Sequence, residues 1–384
     1  MIDVAPLNPL RRLQALGQSV WLDSLERGMP RPEEVARLVE VDGIAGVTSS
    51  SEIFEEDVAV DTAYRRDIAE LAGGGMDPED IYLRLAIADV RTAADLLWPV
   101  FEATDGRDGF ACLAVSPHLA HDTDGTIREA RRLWSMVARP NAMVEVPATV
   151  AGVHAIRELI ADGINVNATL VFGVARCRDV ASAYLDGLRL RTMSGLPVSR
   201  VASVVSLFLR PIDGVLDPRL ESMAALGSAK AAHLVGQVAT SCAKLAYQRW
   251  RDLFQGESFS AVAREGARPQ RLLWAGTSTG NAGYTELRYV DNLVGPDTIT
   301  ALPPKTVDAY RNHGRPRARL QEGAREAQAA LANLASLGID LVAVATQLEA
   351  EGIRKRIAHR NALLASIGRK SEPADRRFVQ TAPQ

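Results

Sequence analysis

Short apolar runs alternate along the chain with longer segments in which apolar residues recur every third or fourth position. The runs are VWLDSL (20–25), GIAGVTSS (43–50), FACLAVS (110–116), AMVEVPA (142–148), VNATLVF (166–172), RVASVVSLFL (200–209), RLLWAGTS (271–278) and DTITAL (297–302). Their length and bounding residues predict buried strands. Between them, segments such as PEDIYLRLAIADVRTAADLLWPVF and TVAGVHAIRELIADG carry helical spacing. Strands alternating with helices form right-handed crossovers and a parallel sheet, and eight such units in one domain predict a closed (β/α)8 TIM barrel. An open doubly wound sheet fits less well, because no glycine-rich phosphate turn follows the first strand.

Two regions exceed a minimal barrel. Residues 217–265 predict two helices within one connection, and 315–365 two or three more, all read as decorations on the barrel. A single domain is therefore expected over residues 1–368. The remainder, 369–384, is polar, carries two prolines and is expected to be a disordered tail.

Strand parity locates a candidate site. Alternate residues of a barrel strand face inward, and chemistry gathers at the strand C-terminal ends. In NVNATLVF, Asn165, Asn167 and Thr169 oppose Val166, Ala168 and Leu170, so the polar set is placed inward. In AMVEVPA, Glu145 shares the inward face with Met143 and Pro147. Asp23 shares a face with Trp21, and Ser206 with Phe208 and Arg210. Isolated buried polar residues usually satisfy one another. Several converging from different strands point instead to a ligand pocket.

Composition narrows the ligand class. The 384 residues are 47% hydrophobic and carry a net charge of -3, which leaves no global basic field for nucleic acid or anionic membrane. A small-molecule substrate or ligand is the expected partner, and a homo-oligomer is compatible with this. Three cysteines, Cys112, Cys177 and Cys242, have no metal-ligand spacing, so neither a disulfide framework nor a metal or other cofactor is expected. The N-terminal segment has no signal-peptide pattern, which gives a cytoplasmic expectation.

VWLDSL, GVTSSSEIF, SPHLAHDT, EVPAT, GINVNATLVF, VASVVSLF, LWAGTST and YVDNLVGPDTITALPPKTVDA, in this order, resemble the transaldolases, in particular their longer bacterial form. The resemblance spans about residues 8 to 355. It implies a (β/α)8 barrel of the class I aldolase type that moves a dihydroxyacetone unit between sugar phosphates through a lysine Schiff base. Carried over residue by residue, it makes Asp23 a proton-transfer group. Asn167 and Thr169 become holders of substrate hydroxyls and a catalytic water, and Ser206 a substrate contact.

Other positions depart from the pattern. The Schiff-base lysine belongs to a segment K-hydrophobic-P-A-T, which here reads Glu145-Val146-Pro147-Ala148-Thr149. Ser50 and Ser51 stand where the second strand would end in asparagine and proline, and Ala114 where the third would carry a glutamate. The arginine after the sixth strand is Pro211, with Arg210 one position early, and Gly280 replaces a later basic residue. A carboxylate cannot form an imine. Lys230 and Lys244 fall on the helical decoration, Lys305 follows the last strand, and Lys355 and Lys370 lie towards the tail.

The expectation at this point is a transaldolase-like barrel that is not a working sugar-phosphate transaldolase. It would be repurposed for acid/base chemistry on a polyol or keto compound through Asp23, Glu145, Asn167 and Thr169, with Ser50, Ser206 and Arg210 as substrate contacts. The alternative is a non-catalytic paralogue that binds a ligand or protein, and a metal-dependent lyase ranks last.

Overall fold

The computed structural model describes residues 8–23, 32–48, 62–281 and 283–371. Eight parallel strands close into a barrel in chain order: β1 (Gln18–Asp23), β2 (Ile44–Thr48), β3 (Phe110–Ala114), β4 (Ala142–Pro147), β5 (Val166–Val171), β6 (Ser203–Phe208), β7 (Arg271–Ala275) and β8 (Thr298–Leu302). Each predicted run supplies one strand, and each strand is buried almost throughout. β8 pairs back onto β1, with Gln18 opposite Thr298.

The lower barrel is filled by Trp21, Phe110, Met143, Val204, Leu273 and Ile299, which form an apolar cluster separate from the core between strands and helices. Gly46 makes room for the Trp21 indole: a Cβ there would stand 2.5 Å from the ring. At the N-terminal end, Arg271 spans the opening. It reaches the Asp108 carboxylate at 2.9 Å and the Thr298 carbonyl at 2.9 Å, while the Trp21 indole donates to Asp108 at 3.0 Å. The charge is paired and hydrogen-bonded, as a buried charge must be.

The connection from β6 to β7 holds four helices, not two: Arg210–Ala225, Ala229–Leu234, Val238–Phe254 and Glu257–Arg264. Gly227, at φ +95°, and the Ser228 hydroxyl, accepting from the Ala231 amide, break the apolar pattern into separate helices. After β8 come Pro304–His313, Ala324–Ser336 and a 31-residue helix, Leu341–Ser371. This last helix passes over the C-terminal mouth of the barrel, so part of the expected decoration is a wall of the site. Residues 372–384, most of the expected tail, fall outside the described residues. Among the described residues no single helix is long and apolar enough to cross a membrane.

Candidate active site at the barrel mouth

A cavity of about 370 Å³ opens at the C-terminal ends of the strands. Asp23 from β1, Glu145 from β4, Asn167 and Thr169 from β5, Ser206 from β6 and Arg210 from the first turn of the following helix all line it. Ser50 lies outside the described residues; Thr48, at the end of β2, lines the cavity and donates to the Asp23 carboxylate at 2.8 Å.

Strand register sets the layers of the site. Glu145 stands level with Asn167 on one side and with Ala114 on the other. A glutamate at 114 would put two carboxylates on adjacent strands at one height, and alanine removes that repulsion. On the floor, the Ser206 hydroxyl donates to Asn167 Oδ1 at 2.8 Å, and Asn167 Nδ2 lies 3.8 Å from Cys112 Sγ. Burial, then the nearby Glu145, hold the Cys112 thiol well above its ordinary range, so the floor beneath Asn167 is uncharged.

Parity fails at one point. Leu170, assigned outward, lines the cavity. The β5–β6 register shifts between Ala168 and Val171, and Leu170 takes the left-handed conformation at φ +58°. A bulge of this kind re-aims side chains beyond it, and a non-glycine residue held there is the type of strain that gathers at functional sites.

The terminal helix contributes a row the sequence reading missed. Leu348, Glu351, Gly352, Lys355, Arg356 and His359 all line the cavity. Their spacing follows one helical face, the i, i+3, i+4, i+7 series. Gly352 permits the approach: a Cβ there would meet Leu170 Cδ2 at 3.0 Å. Arg356 reaches inward, donating to the Thr169 hydroxyl at 3.2 Å with its second nitrogen 3.9 Å from the Glu145 carboxylate. Lys355, assigned towards the tail, instead stands at the mouth. The signal was the segment EAEGIRKRIAH, whose charges share a face with one glycine. Of the histidines near the third strand, His118 is exposed and bonds Asn361 of this helix at 3.0 Å.

Across the mouth, Arg210 Nη1 lies 3.3 Å from Ser278 Oγ. Carboxylates and amides at the depth of the cavity and cations at its rim make a site suited to a polyhydroxy compound with an anionic end.

The transaldolase/fructose-6-phosphate aldolase family matches residues 20–367. The chain is 45% identical over 362 residues to a transaldolase of Thiobacillus denitrificans, spanning 94% of this chain and 100% of that one. Transaldolase 2 of Nostoc sp. is 39% identical over 369 residues, 94% of this chain and 97% of its own. A transaldolase of Mycobacterium bovis is 40% identical over 360 residues, 93% and 96% respectively. These relatives overturn the expectation of a repurposed protein or pseudoenzyme outside transaldolase chemistry. That expectation rested on departures at several positions, Glu145, Ser50, Ser51, Ala114, Pro211 and Gly280, and on a view of the lysines that left out the helix crossing the mouth. The chain belongs to the transaldolase/fructose-6-phosphate aldolase family.

Proposed function

We propose that the protein is a transaldolase, moving a three-carbon ketose unit from one sugar phosphate to another at the barrel mouth. The observation that carries the reading is the meeting of Asp23, Asn167, Thr169 and Ser206 with the cations Arg210, Lys355 and Arg356 in one cavity. The relatives named transaldolase support it over nearly the whole chain.

Cleavage between C3 and C4 of a ketose needs a base for the C4 hydroxyl and an electron sink at C2. Asp23, oriented by the Thr48 hydroxyl, is the base and later the acid. Asn167 and Thr169 hold the ketose hydroxyls, and Arg210 at the rim takes the phosphate. Glu145 occupies the place of the family's imine-forming lysine on β4, and it serves there as a proton carrier beside Arg356.

The test is transfer from fructose 6-phosphate to erythrose 4-phosphate by the full chain, followed through glyceraldehyde 3-phosphate release and heptulose phosphate formation. Turnover is expected, with Asp23→Asn slower by roughly 10²–10⁴-fold. Folded wild-type protein that forms neither product would overturn the reading.

A further inference from the structure

We infer that Lys355, on the terminal helix, is the amine that bonds covalently to the substrate ketone. This rests on the transfer reading above and names the group that reading leaves open, since β4 presents a carboxylate at 145.

Position selects Lys355 among the five lysines of the chain. Lys230 Nζ donates to Ser336 Oγ at 2.9 Å and Lys244 Nζ to the Glu322 carbonyl at 2.8 Å, both within the helical decoration. Lys305 sits on the helix after β8 and does not line the cavity. Lys370 lies on the same helix as Lys355, about 22 Å further along its axis at ~1.5 Å per residue. Lys355 lines the mouth cavity and also the adjoining one, with Arg210 in both walls. Its Nζ makes no hydrogen bond or ion pair with the described residues, and its flexible stem allows it to turn into either space.

The chemistry balances on groups of the site. Lys355 gives one proton to a carboxylate, the Nζ lone pair attacks the C2 carbonyl, whose oxygen takes that proton, and the attached nitrogen then gives a second proton to the same carboxylate. The resulting carbinolamine loses water after a second protonation, leaving an iminium. Asp23 removes the C4 hydroxyl proton, the C3–C4 bond breaks, and its electron pair moves to the iminium to give an enamine as the aldose phosphate leaves. The enamine attacks the aldehyde carbon of the acceptor, the new alkoxide takes the proton back, and water hydrolyses the iminium to free Lys355. No oxidant or reductant is consumed.

The experiment reduces wild-type protein with borohydride in the presence of fructose 6-phosphate, maps the adduct by mass spectrometry, and repeats trapping and turnover on Lys355→Arg and Lys355→Met. Thermal melting confirms that both variants fold, as expected for substitution of an exposed helical residue. The expected result is an adduct on Lys355 in the wild type, with trapping and turnover lost in both variants, because a guanidinium keeps the charge but cannot form the imine. Turnover retained in Lys355→Arg and lost in Lys355→Met would make Lys355 a phosphate cation and overturn the inference. Wild-type turnover with an adduct elsewhere, or none, would overturn it while the transfer reading stands. Absence of both turnover and adduct in the wild type would overturn the transfer reading and the inference with it.

Discussion

The guanidinium of Arg356 lies 3.9 Å from the Glu145 carboxylate, joining the terminal helix to β4 across the mouth of the barrel. Glu145 is 2% exposed, so its charge depends on partners supplied by the protein. Arg356→Ala removes one of them and also strips the Thr169 hydroxyl of its donor. A destabilisation of roughly 1–3 kcal/mol is expected, the range for leaving a buried polar group under-satisfied. In a double-mutant cycle with Glu145→Gln, the two losses should fall short of additivity by at least ~0.5 kcal/mol. Additive losses by urea unfolding would mean the two side chains do not act on one another.

Asp213, on the helix after β6, supplies a pH dependence whose sign can be worked out. Burial is the main cause that pushes its carboxyl up to about 6, against the opposing Ala239 amide and with Asp217 adding repulsion. A carboxyl raised in the folded state binds its proton more tightly there than in the unfolded chain. Its stabilisation is therefore complete below about pH 4 and lost as pH rises through about 6. The loss is roughly 3 kcal/mol, at about 1.4 kcal/mol per pH unit. Asp213→Asn keeps an oxygen for the Ala239 amide, 2.8 Å away in the wild type, and abolishes the titration. Stability relative to wild type should rise between pH 4 and 7 by that amount; a difference flat with pH by calorimetry would refute the assignment.

Much of this fold was legible because barrel strands are short apolar runs with clear boundaries. The inward positions of Glu145, Asn167 and Ser206 followed from a period of two. The period breaks at Leu170, and no single-residue pattern announces a bulge. The contribution of Lys355, Arg356 and His359 was illegible for another reason. The terminal helix is polar enough to read as a solvated decoration, and only the closed barrel shows that one face crosses the mouth. Site residues near the end of the chain meet strands more than 180 residues earlier, as Arg356 meets Thr169 at a separation of 187. Local periodicity carries no information at that range.

Gly152 guards the geometry behind Glu145. The Pro147 carbonyl at the end of β4 accepts the Thr149 amide at 2.9 Å, and Thr149 caps the next helix by accepting from the Gly152 amide at 2.9 Å. A Cβ on Gly152 would lie 1.8 Å from that carbonyl oxygen, which belongs to backbone and cannot swing away as a side chain would. Gly152→Ala should therefore cost about 3 kcal/mol, the upper end for overpacking. It should also slow turnover, because the end of β4 must shift with its carboxylate. Wild-type stability and rate in this variant would show that the turn relaxes without moving the strand.

Arg210 tests which part of the substrate meets the rim. Its guanidinium is exposed and lies 3.3 Å from the Ser278 hydroxyl, so the two can face a phosphate together without the burial that the Glu145 layer requires. A hydrogen bond to a charged group contributes ~1.5–3 kcal/mol, and exposure favours the lower end, or about a tenfold change in binding. Arg210→Met should raise KM for fructose 6-phosphate by about tenfold with kcat nearly unchanged, the pattern of an interaction equal in ground and transition states. Activity on an unphosphorylated ketose donor should not change, and the wild-type advantage should shrink as salt screens the exposed pair. A loss shared equally by phosphorylated and unphosphorylated donors would place Arg210 among the groups that shape the cavity, leaving the phosphate to other cations of the rim.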